Sequence, residues 1–349
     1  MLGPQPPTPS GKFHSVIAIT DSLTAFDEGM GIHMQSIAAR FTTTPGFRAR
    51  MAGIGVDPAA ENWFSRRETW LRHAWIGANQ LVFAKLPPPA ADPYERWRAD
   101  ERSTALDYCR LRMGDELIAS EGFVASFVFR WMASGLGEDA TLADIRRAYD
   151  KLVDALARQR SWSAGERPVI AFIDSWIAAY PGDRNRMIAL FVDMTHGATA
   201  SLALRHQTEA AACKGSVGDI DAFGADLGAL RKARRALVDD IVAGKAGIAD
   251  AIGPQLWVAA PDTKIAVAPW SPDRVEPLTL DLNTASEPAL ALMFGGGIDG
   301  VRVVAERQAN GPFRDLADLS RRAGLDRHQA ARIDAAARAF AALPGFARD

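Results

Sequence analysis

The sequence has few cysteines, no long apolar run and no excess of charge of one sign. Cys109 and Cys213 are the only two cysteines in 349 residues, too few for a disulfide framework or a four-thiolate zinc site, and we expect two buried free thiols. No stretch approaches the roughly 20 apolar residues of a membrane-spanning helix, so no membrane contact is expected. The 40 Lys and Arg residues nearly balance the 42 Asp and Glu residues, which argues against a protein that mainly coats nucleic acid.

The composition predicts a folded protein with two differently built parts. Hydrophobic residues make up 48% of the chain, enough for a substantial core, and its length corresponds to about two average domains. All nine tryptophans lie between Trp63 and Trp270, so the C-terminal part has a different composition. Residues 1–13 contain four prolines and no apolar core of a signal peptide, which predicts an extended arm and a cytoplasmic protein.

Helical signals dominate residues 14–250 and predict a large helical domain of unknown function. Thr141 and Asp144 have the spacing of a capping box, and apolar residues then recur as on one face of a helix. Residues 184–204 are apolar on most sides, which predicts a central, buried helix.

A short β connector is predicted for residues 251–280. The apolar runs 256–259 and 265–268 are separated by Pro261-Asp262, a typical turn signal. This element would join the helical domain to a C-terminal module.

The C-terminal part carries several short motifs in a fixed order. It opens on Leu282-Asn283-Thr284-Ala285, and an apolar helix then leads to Phe294-Gly295-Gly296-Gly297-Ile298. A second helix is predicted for 301–308, followed by Gly311-Pro312-Phe313 and a Leu-rich helix. This order resembles the helix-hairpin-helix module of competence DNA-uptake proteins. The resemblance implies a mainly α protein in which residues 281–349 form such a module with a trailing helix.

The same resemblance implies nonspecific contact with the phosphates of double-stranded DNA. Asn283 or Thr284 would cap the first helix, and the glycine-rich hairpin would leave backbone amides open at the N-terminus of the second helix. Those amides and the helix dipole favour an anion. The nucleic-acid-binding residues that follow from the resemblance are Gly295, Gly296, Gly297, Arg302 and Arg307.

Two departures from the family keep a protein partner open as the alternative to DNA. Without a gap, Phe294 stands where the family has its first hairpin glycine, and with one inserted residue Gly295 and Gly297 form the pair. Residues 277–349 contain nine Arg and nine Asp and Glu, so the module has no net charge. Both departures weaken the case for phosphate binding.

A second, weaker resemblance concerns Asp27-Glu28-Gly29. This segment is similar to the Glu-Gly helix of gluzincin metallopeptidases, which implies that Glu28 would be the third zinc ligand. The sequence has no His-Glu-x-x-His motif to supply the other two ligands and the base. We therefore expect a non-catalytic binding or scaffold protein without a cofactor. The alternative function is that of a truncated or degenerate zinc metallopeptidase-like protein, which lacks the His-Glu-x-x-His half of its site. The alternative to the resemblance itself is that Glu28 is an ordinary helix-start carboxylate.

Overall fold

The fold is known from a computed structural model, which describes residues 22–46, 83–85, 106–137, 139–159, 167–195, 206–207, 209–210, 229, 232, 234–268 and 271–343. The predicted arm, residues 1–13, lies outside these ranges. In the described part the protein is mainly helical with two small sheets, which confirms the predicted fold class. None of the described helices has the length and apolar character needed to cross a membrane.

We number the elements in chain order. The helices are α1 Ser22–Arg40, α2 Gly114–Ile118, α3 Glu121–Ser134, α4 Leu142–Ala157, α5 Pro168–Ala179, α6 Arg184–Met194, α7 Glu287–Phe294, α8 Gly300–Asn310, α9 Leu316–Arg322 and α10 Arg327–Ala341. The strands are β1 Phe83–Lys85, β2 Leu106–Leu111, β3 Trp257–Ala268 and β4 Ser271–Asp281, and they form the antiparallel pairs β1–β2 and β3–β4. The β1–β2 pair lies in a region for which the sequence predicts helices. These strands pair residues that are distant in sequence, Phe83 with Leu111, so local periodicity did not predict them.

One hydrophobic core connects described residues from Ala25 to Ile252, which we call the N-terminal unit. Its centre is α3, whose residues from Glu121 to Phe129 are all buried. The ring of Phe191 meets Phe127 edge-on, with centroids 5.7 Å apart and planes at 77°, an arrangement that aromatic pairs prefer. The central helix is therefore α3 rather than the predicted 184–204, since α6 ends at Met194 and buries only one face.

Gly29 sets how closely α1 approaches α3. A Cβ at this position would lie 2.6 Å from Cβ of Val124 and 2.9 Å from the carbonyl oxygen of Glu121, both closer than Cβ atoms come in proteins. At Gly31 the same construction meets no atom within 4 Å. The glycine that follows Glu28 therefore serves helix packing.

The predicted start of α4 is confirmed. The hydroxyl of Thr141 accepts from the amide of Asp144 at 3.3 Å, and the amide of Thr141 donates to the Asp144 carboxylate at 2.8 Å. Each bond satisfies an amide that would otherwise lack a partner in the first turn. The local sequence alone therefore places this helix boundary.

A second hydrophobic core connects described residues from Leu256 to Ala337, and we call residues 256–343 the C-terminal unit. Val258 and Leu280 of the β3–β4 hairpin pack in it with Leu290 of α7. Trp257 stacks on Phe340 of α10, with centroids 5.4 Å apart and planes at 12°. The predicted β connector is thus part of the C-terminal core and not only a link.

The hairpin does not turn at Pro261-Asp262, where the sequence predicts it. Strand β3 continues through these residues, and its pairing with β4 shifts between Ala260 and Lys264. Ala260 is paired with Leu278, and Lys264 is paired with Pro277, the neighbour of Leu278 in β4. The three residues of β3 between Ala260 and Lys264 are therefore unpaired. A bulge accommodates Pro261, which has no backbone N–H to donate to the ladder.

Candidate functional site

The turn between α7 and α8 contains the three glycines that the sequence assigns to a binding site. Gly295 and Gly296 have φ angles of +57° and +72°, left-handed values that favour glycine. Both are exposed, and a Cβ on either would have no neighbour within 4 Å. These two glycines therefore lie at the surface, although the amide of Gly295 is bonded to the carbonyl of Ala291 at 2.8 Å.

Gly297 is covered by side chains of α10. The guanidinium of Arg332 lies against its Cα and donates to the carbonyl of Phe294 at 2.8 Å. The side-chain amide of Gln329 donates to the carbonyl of Gly297 at 3.1 Å, and the Gly297 amide is itself bonded to Phe294. Gly297 is therefore engaged inside the protein, and the prediction that its amide is open to a phosphate is wrong.

Asp299 occupies the N-terminus of α8. Its carboxylate accepts from the amide of Arg302 at 3.1 Å and caps the helix. A carboxylate is stabilised there by the positive end of the helix dipole, which is also where a bound phosphate would lie. The anion position of this helix is thus filled by the chain itself.

Arg302 and Arg307, which the sequence places together, are in different surroundings. Arg302 is exposed, and its guanidinium lies against Gly324 in the turn between α9 and α10. Arg307 is only 2% exposed and donates to the carbonyl of Leu282 at 2.8 Å. Glu116 of α2 lies 3.9 Å from its guanidinium. Arg307 is therefore buried rather than exposed to a ligand, and its charge lies between the two units.

Asn283 holds two distant segments of backbone. Its side-chain amide donates to the carbonyls of Pro254, at 3.0 Å, and Phe313, at 2.9 Å. Its side-chain oxygen accepts from the amide of Phe313 at 2.8 Å. Neither Asn283 nor Thr284 caps α7 as predicted, since Ser286 does so. The Asn and the Gly-Pro-Phe motif are thus two halves of one contact.

Arg322, the last residue of α9, is neutralised by two acidic neighbours. Arg322 lies 3.1 Å from Glu306 and 3.1 Å from Asp318, and it donates to the carbonyl of Gly311 at 2.8 Å. Burial alone would raise the pKa of Asp318, but the amide of Arg314 and the Arg322 guanidinium outweigh it and lower the pKa to about 2. Arg322 itself therefore offers little positive charge to a ligand.

A further set of buried charges joins the two units. Arg167 lies 2.7 Å from Asp115 and donates to the carbonyl of Gly253. Asp281 accepts from the amide of Leu256 at 2.7 Å. Burial raises the pKa of Asp115 and of Asp281 despite these partners. The cluster fixes the chain where it passes from one core to the other.

Glu28 and His33, on α1, do not form a metal site. Glu28 is exposed, whereas His33 is 1% exposed and lies 3.2 Å from the hydroxyl of Tyr149. Burial lowers the pKa of His33 to about 4, so its imidazole is neutral near pH 7. In the ranges that the structure describes, no three His, Cys, Asp or Glu side chains meet in a way that could hold a metal ion.

The interpretation of the sequence missed the groups that close the glycine turn. In the sequence analysis, Asp299 was only one of the acidic residues that balance the arginines. An aspartate directly before a helix is, however, a typical N-cap. Arg332 has no local signal, since the carbonyl to which it donates belongs to Phe294, 38 positions earlier. The first role was readable from the sequence and the second was not.

Comparisons with protein-family models, curated proteins and solved structures give no match to this chain. The resemblance to helix-hairpin-helix proteins therefore depends on the residues quoted above, and its functional meaning is a matter for proposal and experiment.

Proposed function

We propose that the chain is a non-catalytic binding or scaffold protein, and that its C-terminal unit is a helix-hairpin-helix module that contacts a protein partner. The observation that carries this proposal is the Asp299 carboxylate at the N-terminus of α8. A phosphate that approached the exposed backbone of Gly295 and Gly296 would meet a fixed negative charge. Repulsion at this point opposes the mode of DNA contact that the module's resemblance implies.

The distribution of arginine supports the same proposal. Binding to DNA phosphates depends on how many cationic side chains reach them. Arg307 is buried and Arg322 is paired with two carboxylates. These two arginines are therefore not available to a polyanion, and a protein partner does not require an excess of positive charge.

An exposed apolar residue beside the turn suits a protein contact. Val301, in the first turn of α8, is 63% exposed, and it lies between Gly300, which packs on α7, and the exposed Arg302. Single apolar residues occur on most protein surfaces. Here one follows the exposed Gly295 and Gly296 along the chain, so that this end of α8 offers a partner both apolar surface and exposed backbone.

Nonspecific binding of double-stranded DNA is the second candidate. The observation that favours it is that Arg302, in the first turn of α8, and Arg332, beside Gly297, are both exposed cations. Any such binding would read the phosphate backbone and weaken with salt.

A salt-titrated DNA-binding assay separates the two candidates. Fluorescence anisotropy with a labelled duplex at low salt compares the wild type with Asp299→Asn, which keeps a capping side chain but removes the charge. We expect no saturable binding by the wild type at concentrations up to about 100 μM, the weak end of nonspecific binding. Wild-type affinity that falls with salt and is lost in Arg302→Glu would overturn the proposal.

Site-specific photo-cross-linking tests the partner directly. A photoreactive amino acid at Val301 should give one discrete cross-linked protein in cells that make this chain. The same residue at Lys245, an exposed position of the N-terminal unit, is the matched control and should not give that product. Equal products from both positions, or none from Val301, would argue against a partner at this turn.

A further inference from the structure

A pocket of about 260 Å³ opens on the surface of the N-terminal unit, between the end of α3, the first half of α4, and residues at the end of α5 and the start of α6. Its apolar wall includes Trp131, Met132, Ala148 and Trp176. Five charged side chains line the rest: Asp144, Arg147, Lys151, Asp183 and Arg186. Apolar surface and charge thus meet in one cavity that none of the residues discussed under the proposed function enters.

Arg186, one of the pocket's cations, is held in place by three contacts, and a fourth bond fixes its carboxylate partner. The guanidinium of Arg186 lies over the ring of Trp131, 4.2 Å from its centroid. It donates to Asp183 at 3.0 Å and to the hydroxyl of Ser134 at 3.4 Å. The indole N–H of Trp176 donates to the same aspartate at 3.1 Å. Because the ring and the carboxylate fix both ends, this part of the pocket is pre-formed.

The side chains that line the pocket carry one more positive charge than negative charges. Arg147 is paired with Asp144 and Arg186 with Asp183. Lys151 lies over the ring of Tyr180, 4.9 Å from its centroid, and forms no ion pair with a carboxylate in the part of the chain that the structure describes. Three cations therefore face two carboxylates.

We propose that this pocket binds a carboxylate attached to an apolar group, such as the carboxy-terminal residue of a peptide or a small aromatic acid. The apolar wall would take the side chain or ring, and Lys151 would receive the carboxylate. A single unpaired cation matches a monoanion better than a phosphate dianion, because Asp144 and Asp183 already occupy the other two cations. The volume suits a group the size of one amino acid.

NMR of the indole groups gives a direct test. The probe is N-acetylphenylalanine, and its neutral control is N-acetylphenylalaninamide. The Trp176 indole N–H signal reports on the pocket because it is bonded to Asp183, and Trp176→Phe assigns it. We expect a saturable shift with a dissociation constant of about 1 mM, as for small fragments, and a response to the amide at least about tenfold weaker, since the amide gains no charge-assisted bond.

Lys151→Gln should reduce the affinity for the acid about tenfold, the loss expected when a charge-assisted bond becomes a neutral one. Lys245→Gln is the matched control, because Lys245 is an exposed lysine 3.6 Å from Asp240 and outside the pocket, and it should leave the affinity unchanged. Both lysines are exposed, so neither change should unfold the protein. No saturable shift, an equal response to the amide, or an unchanged affinity in Lys151→Gln would overturn the proposal.

A short peptide that ends in phenylalanine with a free carboxylate distinguishes the two sources of this chemistry. Tighter binding of the peptide than of N-acetylphenylalanine would identify a protein carboxy terminus, and equal binding would identify a small acid. Both results support a carboxylate site. The DNA and cross-linking assays probe only the turn between α7 and α8, so their failure and the failure of this test are independent.

Discussion

The two units of this protein both have an apolar core, but the buried aromatic rings are concentrated in the first. In the N-terminal unit, the rings of Phe123, Phe127 and Phe191 meet with two edge-on contacts, and Trp131 meets Trp176 at 89°. In the C-terminal unit, one of the largest fully buried side chains is the guanidinium of Arg307. Apolar contact stabilises both centres, and in the second one the buried Arg307 also satisfies a backbone carbonyl.

The difference explains why an arginine-containing motif does not imply a DNA-binding surface. Short helices joined by turns, as in the C-terminal unit, leave many carbonyls without a helical partner. Arg307, Arg322 and Arg332 each donate to such a carbonyl. An arginine used in this way is selected by the fold, and the same residue type at the same spacing carries no information about phosphate.

Arg307→Met should have the largest effect on the free energy of unfolding. If this substitution were neutral, the buried guanidinium would not stabilise the C-terminal unit. The substitution keeps apolar bulk but leaves the carbonyl of Leu282 without its donor and the carboxylate of Glu116 without its cationic neighbour. We expect a loss of about 3–5 kcal/mol in the free energy of unfolding, as for other buried ion pairs that lose one partner. Urea unfolding measures it.

Two variants calibrate this result. Phe127→Met, in the aromatic centre, should cost about 1.5 kcal/mol or less, since it changes shape but leaves no polar group unsatisfied. Arg302→Met, at the surface, should stay within about 0.5 kcal/mol of the wild type. A cost for Arg307→Met no greater than that for Arg302→Met would show that the buried guanidinium does not stabilise the C-terminal unit.

Gly29→Ala tests how tightly the apolar unit is packed. Its Cβ would collide with Val124 and the backbone of Glu121, so α1 must move away from α3. We expect a loss of about 1–3 kcal/mol from overpacking. Gly31→Ala, two residues further in the same helix and facing open space, should instead stabilise by up to about 1 kcal/mol through helix propensity. Thermal unfolding of the pair decides the matter, and equal shifts would contradict close packing at Gly29.

His33 in the N-terminal unit and Asp318 in the C-terminal unit should affect stability in different pH ranges. The folded-state pKa of His33 is about 4, below the value near 6.5 of the unfolded chain. The unfolded state alone therefore gains a proton between these values, and stability falls as the pH drops from 6.5 towards 4. In the C-terminal unit, the pKa of Asp318 is about 2, so its contribution is lost only below pH 4.

Between about pH 7 and pH 5.5, the effect of His33 amounts to about 1 kcal/mol. His33→Gln removes the titration while keeping a partner for the hydroxyl of Tyr149, and it should flatten this part of the profile. Urea unfolding at the two pH values measures the difference. A profile that is as steep in the variant as in the wild type would assign the pH dependence to other groups.

Much of the fold followed from local patterns, and much of the candidate site did not. The helical character, the capping box at Thr141 and the glycine turn at Gly295 and Gly296 each depend on residues within a few positions of one another. The bulge at Pro261 differs from the predicted turn, because only the pairing with β4 decides whether a proline ends a strand or is tolerated within it. The exposure of Arg302 and the burial of Arg307 could not be separated by their spacing.

By itself, the sequence determined that this is a mainly helical chain with a compositionally distinct C-terminal part and no surplus of positive charge. Periodicity, capping and net charge are properties of the chain read in order, and they hold in the fold. The tertiary structure alone decided what the charges do. It brings Arg307 to Leu282 and Glu116, Arg332 to Phe294, and Asn283 to Phe313. These partners are distant in sequence. A buried side-chain donor is placed beside a backbone carbonyl that would otherwise lack a hydrogen-bond donor, and only the tertiary structure shows which carbonyl that is.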